Sequence, residues 1–68
     1  MMRHEAEHLL EHWIEHNDSH SSSFRQRAVQ IREISIDAAS YVEEAALLMD
    51  RCNAALRKAR EILSAEDR

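Results

Sequence analysis

Residues 37–64 read DAASYVEEAALLMDRCNAALRKAREILS, and this stretch decides the fold. Ala38, Val42, Ala45, Met49, Cys52, Leu56, Ala59 and Leu63 follow one another at alternating steps of four and three. That is the heptad spacing of a helix that buries one stripe against another helix. A flanking row, Tyr41, Leu48, Ala55 and Ile62, makes the apolar face wider than a two-stranded coil requires. The width predicts burial against more than one helix.

Composition agrees. The chain of 68 residues contains no glycine and no proline. Turns that need positive φ, and hairpins of strands, are therefore disfavoured. Alanine, leucine, glutamate and arginine are abundant, and all are strong helix formers. A chain this short makes one small domain and rarely buries enough apolar surface without a disulfide, a metal or a partner chain. Cys52 is the only cysteine, so no internal disulfide can form, and a lone thiol suits a reducing cytoplasm. The apolar runs are far too short to span a bilayer, and no basic start with an apolar core marks a secretory leader. A net charge of −4 argues against general nucleic-acid binding.

Residues 2 to about 33 read as a first helix. At about 100° per residue, Met2, Ala6, Leu9, Leu10, Trp13, Phe24, Ala28 and Ile31 gather on one face, joined by Asn17 and His20 with His16 at the edge. The period passes through Asp18 to Ser23 without a phase slip, which favours one continuous helix. Against continuity, these residues compete for backbone hydrogen bonds, and Ser23 to Gln26 fits a capping box.

Charge blocks locate the turn. Residues 1–20 carry Glu5, Glu7, Glu11, Glu15 and Asp18 against Arg3, whereas residues 21–32 carry only Arg25, Arg27 and Arg32. Residues 33–50 are purely acidic and residues 51–60 purely basic. Folding the chain back near residue 35 lays acid against base along its whole length. Ser35 to Asp37 supplies a break and an N-cap. The expectation is an all-α antiparallel helical hairpin: a helix over about 2–33, a turn at 34–37, and a helix over about 37–64. The tail from Ala65 to Arg68 is expected to fray. An isolated hairpin would leave its wide seam wet, which predicts a homodimer forming a four-helix bundle.

Chemistry concentrates in residues 4–20, HEAEHLLEHWIEHNDSH. Histidine recurs at His4, His8, His12, His16 and His20, with Glu7, Glu11 and Glu15 each just before the next histidine. Two imidazoles four apart on a helix point the same way and can share one metal ion. The stripe drifts about 40° per step, leaving His4 and His8 in solvent and carrying His16 and His20 to the apolar face. With the turn near residue 35, position i lies near 70 − i, so Asn17 faces Asn53, His20 faces Met49 and Asp50, and His16 lies near Cys52. One reading is a divalent transition metal (zinc, nickel, cobalt or copper) held by His16 and His20, with His12 and Asp50 as helpers. A second is a structural or protein-interaction module whose polar layer of Asn17, His20 and Asn53 sets register without a metal. A third is a pH switch, since clustered imidazoles repel when charged. Cys52 reads most simply as a small core residue, and Trp13, Phe24 and Tyr41 as packing anchors.

Enzymatic readings are weaker. The HxxEH unit resembles the zinc motif of inverzincin peptidases, but here it is tandem, partly solvent-facing and without a substrate cleft. Glu5 and His8 fit the Glu-x-x-His of ferritin-like di-iron bundles, yet lie off the seam with no counterpart in the second helix. The protein is expected not to be an enzyme.

The run His12-Trp13-Ile14-Glu15-His16-Asn17, followed by His20 and Phe24, is similar to a family of small prokaryotic helical proteins with an HWIEHN-x-x-H segment. Their second helix is alanine-rich and acidic, with an Ala-Asn or similar pair near its middle, where this chain has Cys52-Asn53-Ala54. The resemblance spans Leu9 to Leu63 and implies a helical hairpin and no known activity. It places weight on His12, His16, Asn17 and His20. The chain departs from the family at Ser19 to Ser23, where more acidic residues are usual.

Overall fold

The computed structural model describes residues 1–66 and consists of two helices, α1 (Arg3–Arg32) and α2 (Ile36–Glu66). They pack side by side as a hairpin measuring 52 × 14 × 14 Å. The all-helical fold and the hairpin agree with the sequence. So does the continuity of α1, which runs through Asp18 to Ser23 without interruption. Isolated helix propensity is poor there, but packing against α2 supplies what the local sequence lacks. Ala65 and Glu66, expected to fray, are helical, and Asp67 and Arg68 lie outside the described residues. Neither helix is long and apolar enough to cross a membrane.

The reversal uses only ordinary backbone. Ile34 and Ser35 both donate N–H bonds of 2.8 Å to the Ile31 carbonyl, closing α1. No described residue has a positive φ, which a chain without glycine needs. Ser35 Oγ accepts the Ala38 N–H at 3.1 Å and caps α2, so the helix begins one residue earlier than expected.

The seam between the helices is itself heptad-spaced. On α1, Ile14, Ser21 and Ala28 are buried, with Leu10, Asn17, Phe24 and Ile31 half-buried between them. On α2, Ala39, Ala46 and Asn53 are wholly buried, with Val42, Met49, Leu56 and Leu63 half-buried. This corrects the sequence reading of α2. Val42, Met49, Leu56 and Leu63 do face α1, but the alternate row is Ala39, Ala46 and Asn53, not Ala38, Ala45, Cys52 and Ala59. Cys52 is exposed rather than in the core. Trp13 and Tyr41 are 45% and 73% exposed, so of the three expected anchors only Phe24 packs inward. On α1 the seam takes in Ile14 and Ser21 in place of Trp13.

Asn53 is the largest fully buried side chain. Its Oδ1 accepts from Asn17 Nδ2 at 3.0 Å, and its Nδ2 donates to the Ile14 carbonyl at 3.1 Å and to Asp18 Oδ1 at 2.8 Å. Asp18 Oδ2 in turn accepts from Arg57 at 3.1 Å. The expected meeting of Asn17 with Asn53 is therefore present.

The rows beside the seam separate into two faces. Successive residues rotate in opposite senses in antiparallel helices viewed end-on, so residues one place after the seam lie on the same side in both. That side holds the ion pairs Asp18–Arg57, Arg25–Asp50 and Arg32–Glu43. The acid and base blocks thus meet as the sequence predicts, and Arg3 with Glu66 adds a pair at the open end. The opposite side carries the residues one place before the seam: Leu9, Trp13, His16 and His20 on α1, and the row containing Tyr41, Leu48 and Cys52 on α2.

Replacing Asn53 with alanine removes the buried donor to the Ile14 carbonyl and one bond each from Asn17 and Asp18. The expected loss is about 2–3 kcal/mol, far above that of a surface change, measured by urea unfolding monitored by circular dichroism. A loss within about 0.5 kcal/mol would show that water satisfies these groups instead.

Candidate functional site

The histidine stripe is presented by an uninterrupted α1, so its regular spacing becomes a ladder of rings. His12 stacks on His16 with centroids 6.3 Å apart, His16 meets His20 edge-on at 4.5 Å, and His20 tilts against Phe24 at 5.8 Å. Within this ladder, His16 Nε2 and His20 Nε2 converge to 3.0 Å. One imidazole bearing a proton can donate it to the other at that distance. Two nitrogens each bound at about 2.0–2.1 Å to a tetrahedral ion would lie about 3.3 Å apart, so the pair is also close to a metal-chelating geometry. His4 and His8 lie apart from this pair, along an open groove of about 560 Å³ lined by Met1, His4, Glu5, His8, Leu9 and His12.

Asp50 is engaged elsewhere. Its carboxylate accepts from Arg25 Nη2 at 2.6 Å and from Ser21 Oγ at 2.7 Å, on the ion-paired side of the hairpin. Arg25 also donates to Ser21 Oγ, closing a three-member cluster over the Ala46 carbonyl. The structure therefore brings together His12, His16 and His20, and gives Asp50 to Arg25. Among the described residues, no group of three or more His, Cys, Asp or Glu side chains is arranged to hold a metal ion. Cys52 is nearer the ladder's layer: its Sγ lies 3.7 Å from Asn17 Nδ2, one position along from His16.

His20 does not take part in the polar layer. Asp18 and Arg57 take that place, and Ser21 with Arg25 and Asp50 forms a second polar cluster one turn along. Sequence reasoning missed both because Asp18 and Ser21 were read as helix-weakening residues. The signal was present in the heptad row Leu10, Ile14, Asn17, Ser21, Phe24, Ala28, Ile31, whose two polar members face Asn53 and Asp50.

The family described as a domain of unknown function, DUF8180, matches residues 6–63. The chain belongs to that family. No curated protein and no solved structure matches the chain. The DUF8180 match includes His8 to His20, Asn53 and the whole turn, so the ladder and the polar layer both lie within the family's domain.

The Asp50 cluster makes a pH prediction. Hydrogen bonds from Arg25, then from Ser21, hold the Asp50 carboxyl below its ordinary pKa, and burial opposes them. The Arg25 guanidinium is raised by the same bond. A carboxyl depressed in the folded state contributes stability that is present above its unfolded pKa and is lost as pH falls through the folded value. Asp50→Asn should therefore melt below wild type at neutral pH, and the gap should close as pH falls from about 5 to about 2. Thermal unfolding across that range checks this, and a gap that stays constant would contradict it.

Proposed function

We propose that this protein is a non-enzymatic helical protein that binds a divalent transition metal, zinc, nickel, cobalt or copper, through His16 and His20. The observation that carries the reading is the convergence of the two Nε2 atoms to 3.0 Å on one exposed helix face. His12 stands next in the ladder as a third imidazole, one turn away. Asp50 could join only by giving up Arg25, which makes it the weakest of the expected ligands. The remaining coordination positions would go to water or to a partner chain. Two copies associate as a four-helix bundle in this proposal, in the cytoplasm, where the lone Cys52 stays reduced. The His12–His20 segment would be the functional part of a prokaryotic family.

A second reading has its own support. The buried, fully bonded Asn53 is what a register-setting core layer looks like, and it needs no metal. The protein would then be a helical interaction module.

Calorimetric titration of chelator-stripped protein with zinc, nickel and copper(II) at neutral pH separates the two. Metal binding predicts stoichiometric micromolar or tighter affinity that His16→Ala with His20→Ala abolishes. It also predicts stabilisation of about 2.7 kcal/mol at a hundredfold excess over Kd, absent in the double variant. Heat no greater than that of an unstructured histidine peptide would overturn it and leave the interaction module.

A further inference from the structure

We infer that the face of the hairpin opposite its ion pairs is covered by a second copy of this chain. The two hairpins are related by a two-fold axis parallel to the helices, so that α1 rests on the partner's α2. The inference rests on the dimer reading above and adds the surface and the orientation.

Four observations carry it. First, the hairpin cannot bury much by itself. Its buried apolar residues are Ile14, Ala28, Ala39 and Ala46, three of them alanines. The chain exposes 5301 Å², whereas a compact protein of 7.9 kDa exposes about 4,400 Å². The excess of about 900 Å² is close to one partner's share of a standard interface, about 800 Å².

Second, four of the exposed large apolar groups share one face, whereas Val29 and Leu47 stand singly on the ion-paired side. Trp13 (45%), Tyr41 (73%), Leu48 (54%) and Ile62 (57%) all stand on the side away from the ion pairs. On α2 they belong to a second complete heptad row, Tyr41 to Ile62 through Leu48, Cys52 and Ala59, displaced one residue from the row that faces α1. A helix with two adjacent heptad rows is built to contact two other helices.

Third, the orientation follows from size. With α1 on the partner's α2 in the register of the hairpin itself, Trp13 sits over the partner's Ala55 and Ala59, a large residue over a gap between small ones. Leu9 meets the partner's Ile62. The alternative, α1 on the partner's α1, would lay Leu9 and Trp13 over Arg27 and Ser23 of the partner subunit.

Fourth, charge agrees. The acidic first half of α1 would again lie beside the basic residues 51–60, this time of the partner, repeating the matching that holds the single hairpin.

Adjacent residues allow a sharp test. Leu47 and Leu48 are similarly exposed, 58% and 54%, but Leu47 lies on the ion-paired side and Leu48 on the inferred interface. Sedimentation equilibrium is measured on the full chain with chelator present, for wild type, Leu47→Arg and Leu48→Arg, with circular dichroism confirming that each is helical. Wild type and Leu47→Arg are expected to be dimers. Leu48→Arg should weaken the dimer at least about a hundredfold, because it buries an unpaired charge. A wild type that is monomeric up to millimolar concentration overturns the interface and leaves the metal reading to its own titration. Equal effects of the two variants, or a larger effect of Leu47→Arg, overturn the choice of face. Efficient Cys52–Cys52 disulfide formation on mild oxidation overturns the orientation, since it needs α2 on the partner's α2. Its absence in a wild-type dimer supports the orientation.

Discussion

The buried amide of Asn53 is the constraint on which the hairpin depends. A wholly buried polar side chain is costly unless its donors and acceptor are matched. Asn17, Asp18 and the Ile14 carbonyl match them only when residue 53 stands opposite residues 14–18. A slip by one turn toward the start of α1 would set the amide against Leu10, and a slip the other way would lose its bonds to Asn17 and the Ile14 carbonyl. The side chain thus contributes register more than attraction, as a single core asparagine does in coiled coils. Once register is set, every row along the hairpin has a defined neighbour. Arg25 finds Asp50, Arg32 finds Glu43 and Arg57 finds Asp18, while the opposite row of α2 is left apolar and that of α1 carries Leu9, Trp13, His16 and His20. Each exposed ion pair is worth little alone. Together they mark one face as complete and the other as open.

Much of this was legible in the sequence. The absence of glycine and proline, the heptad steps after residue 37 and the alternation of charge blocks gave two helices, their direction and the pairing of residue i with 70 − i. Asn17 meets Asn53 because that register is right. The rotation of each helix about its own axis was harder to read. The second helix carries two adjacent apolar rows and the first has Leu9 and Trp13 beside its seam, so the most hydrophobic stripe falls on the larger side chains rather than on the seam. Leu9 and Trp13 on the first helix, and Ala45, Cys52 and Ala59 on the second, therefore draw the expected seam towards the open face. The true seam is lined by Ala39, Ala46, Ser21 and Asn53, which score poorly on hydrophobicity but let the helices approach closely. Cys52 was assigned to the core for the same reason: it belongs to the neighbouring row.

The candidate site was legible as a spacing but not as a ligand set. Histidines at every fourth position must form a ladder once α1 is continuous, and His16 and His20 do converge. Which residues from α2 would join them depends on the rotation that the sequence misjudged. Asp50 has the right height but the wrong side, one row past the seam, where Arg25 and Ser21 hold it. Cys52 has the right height and the side that His16 and His20 occupy. The ladder opens onto the apolar face, so whatever covers that face also controls access to the imidazoles.

A buried Asn53 fixes the register from which both faces follow. Hydrogen exchange of the Asn53 side-chain amide, followed by nuclear magnetic resonance together with its through-space contacts, tests it most directly. Slowly exchanging Nδ2 protons with contacts to Ile14 and Asp18 are the predicted result. Protons that exchange as fast as those of exposed side-chain amides, or that contact residues a turn away on α1, would contradict the register and the two faces with it.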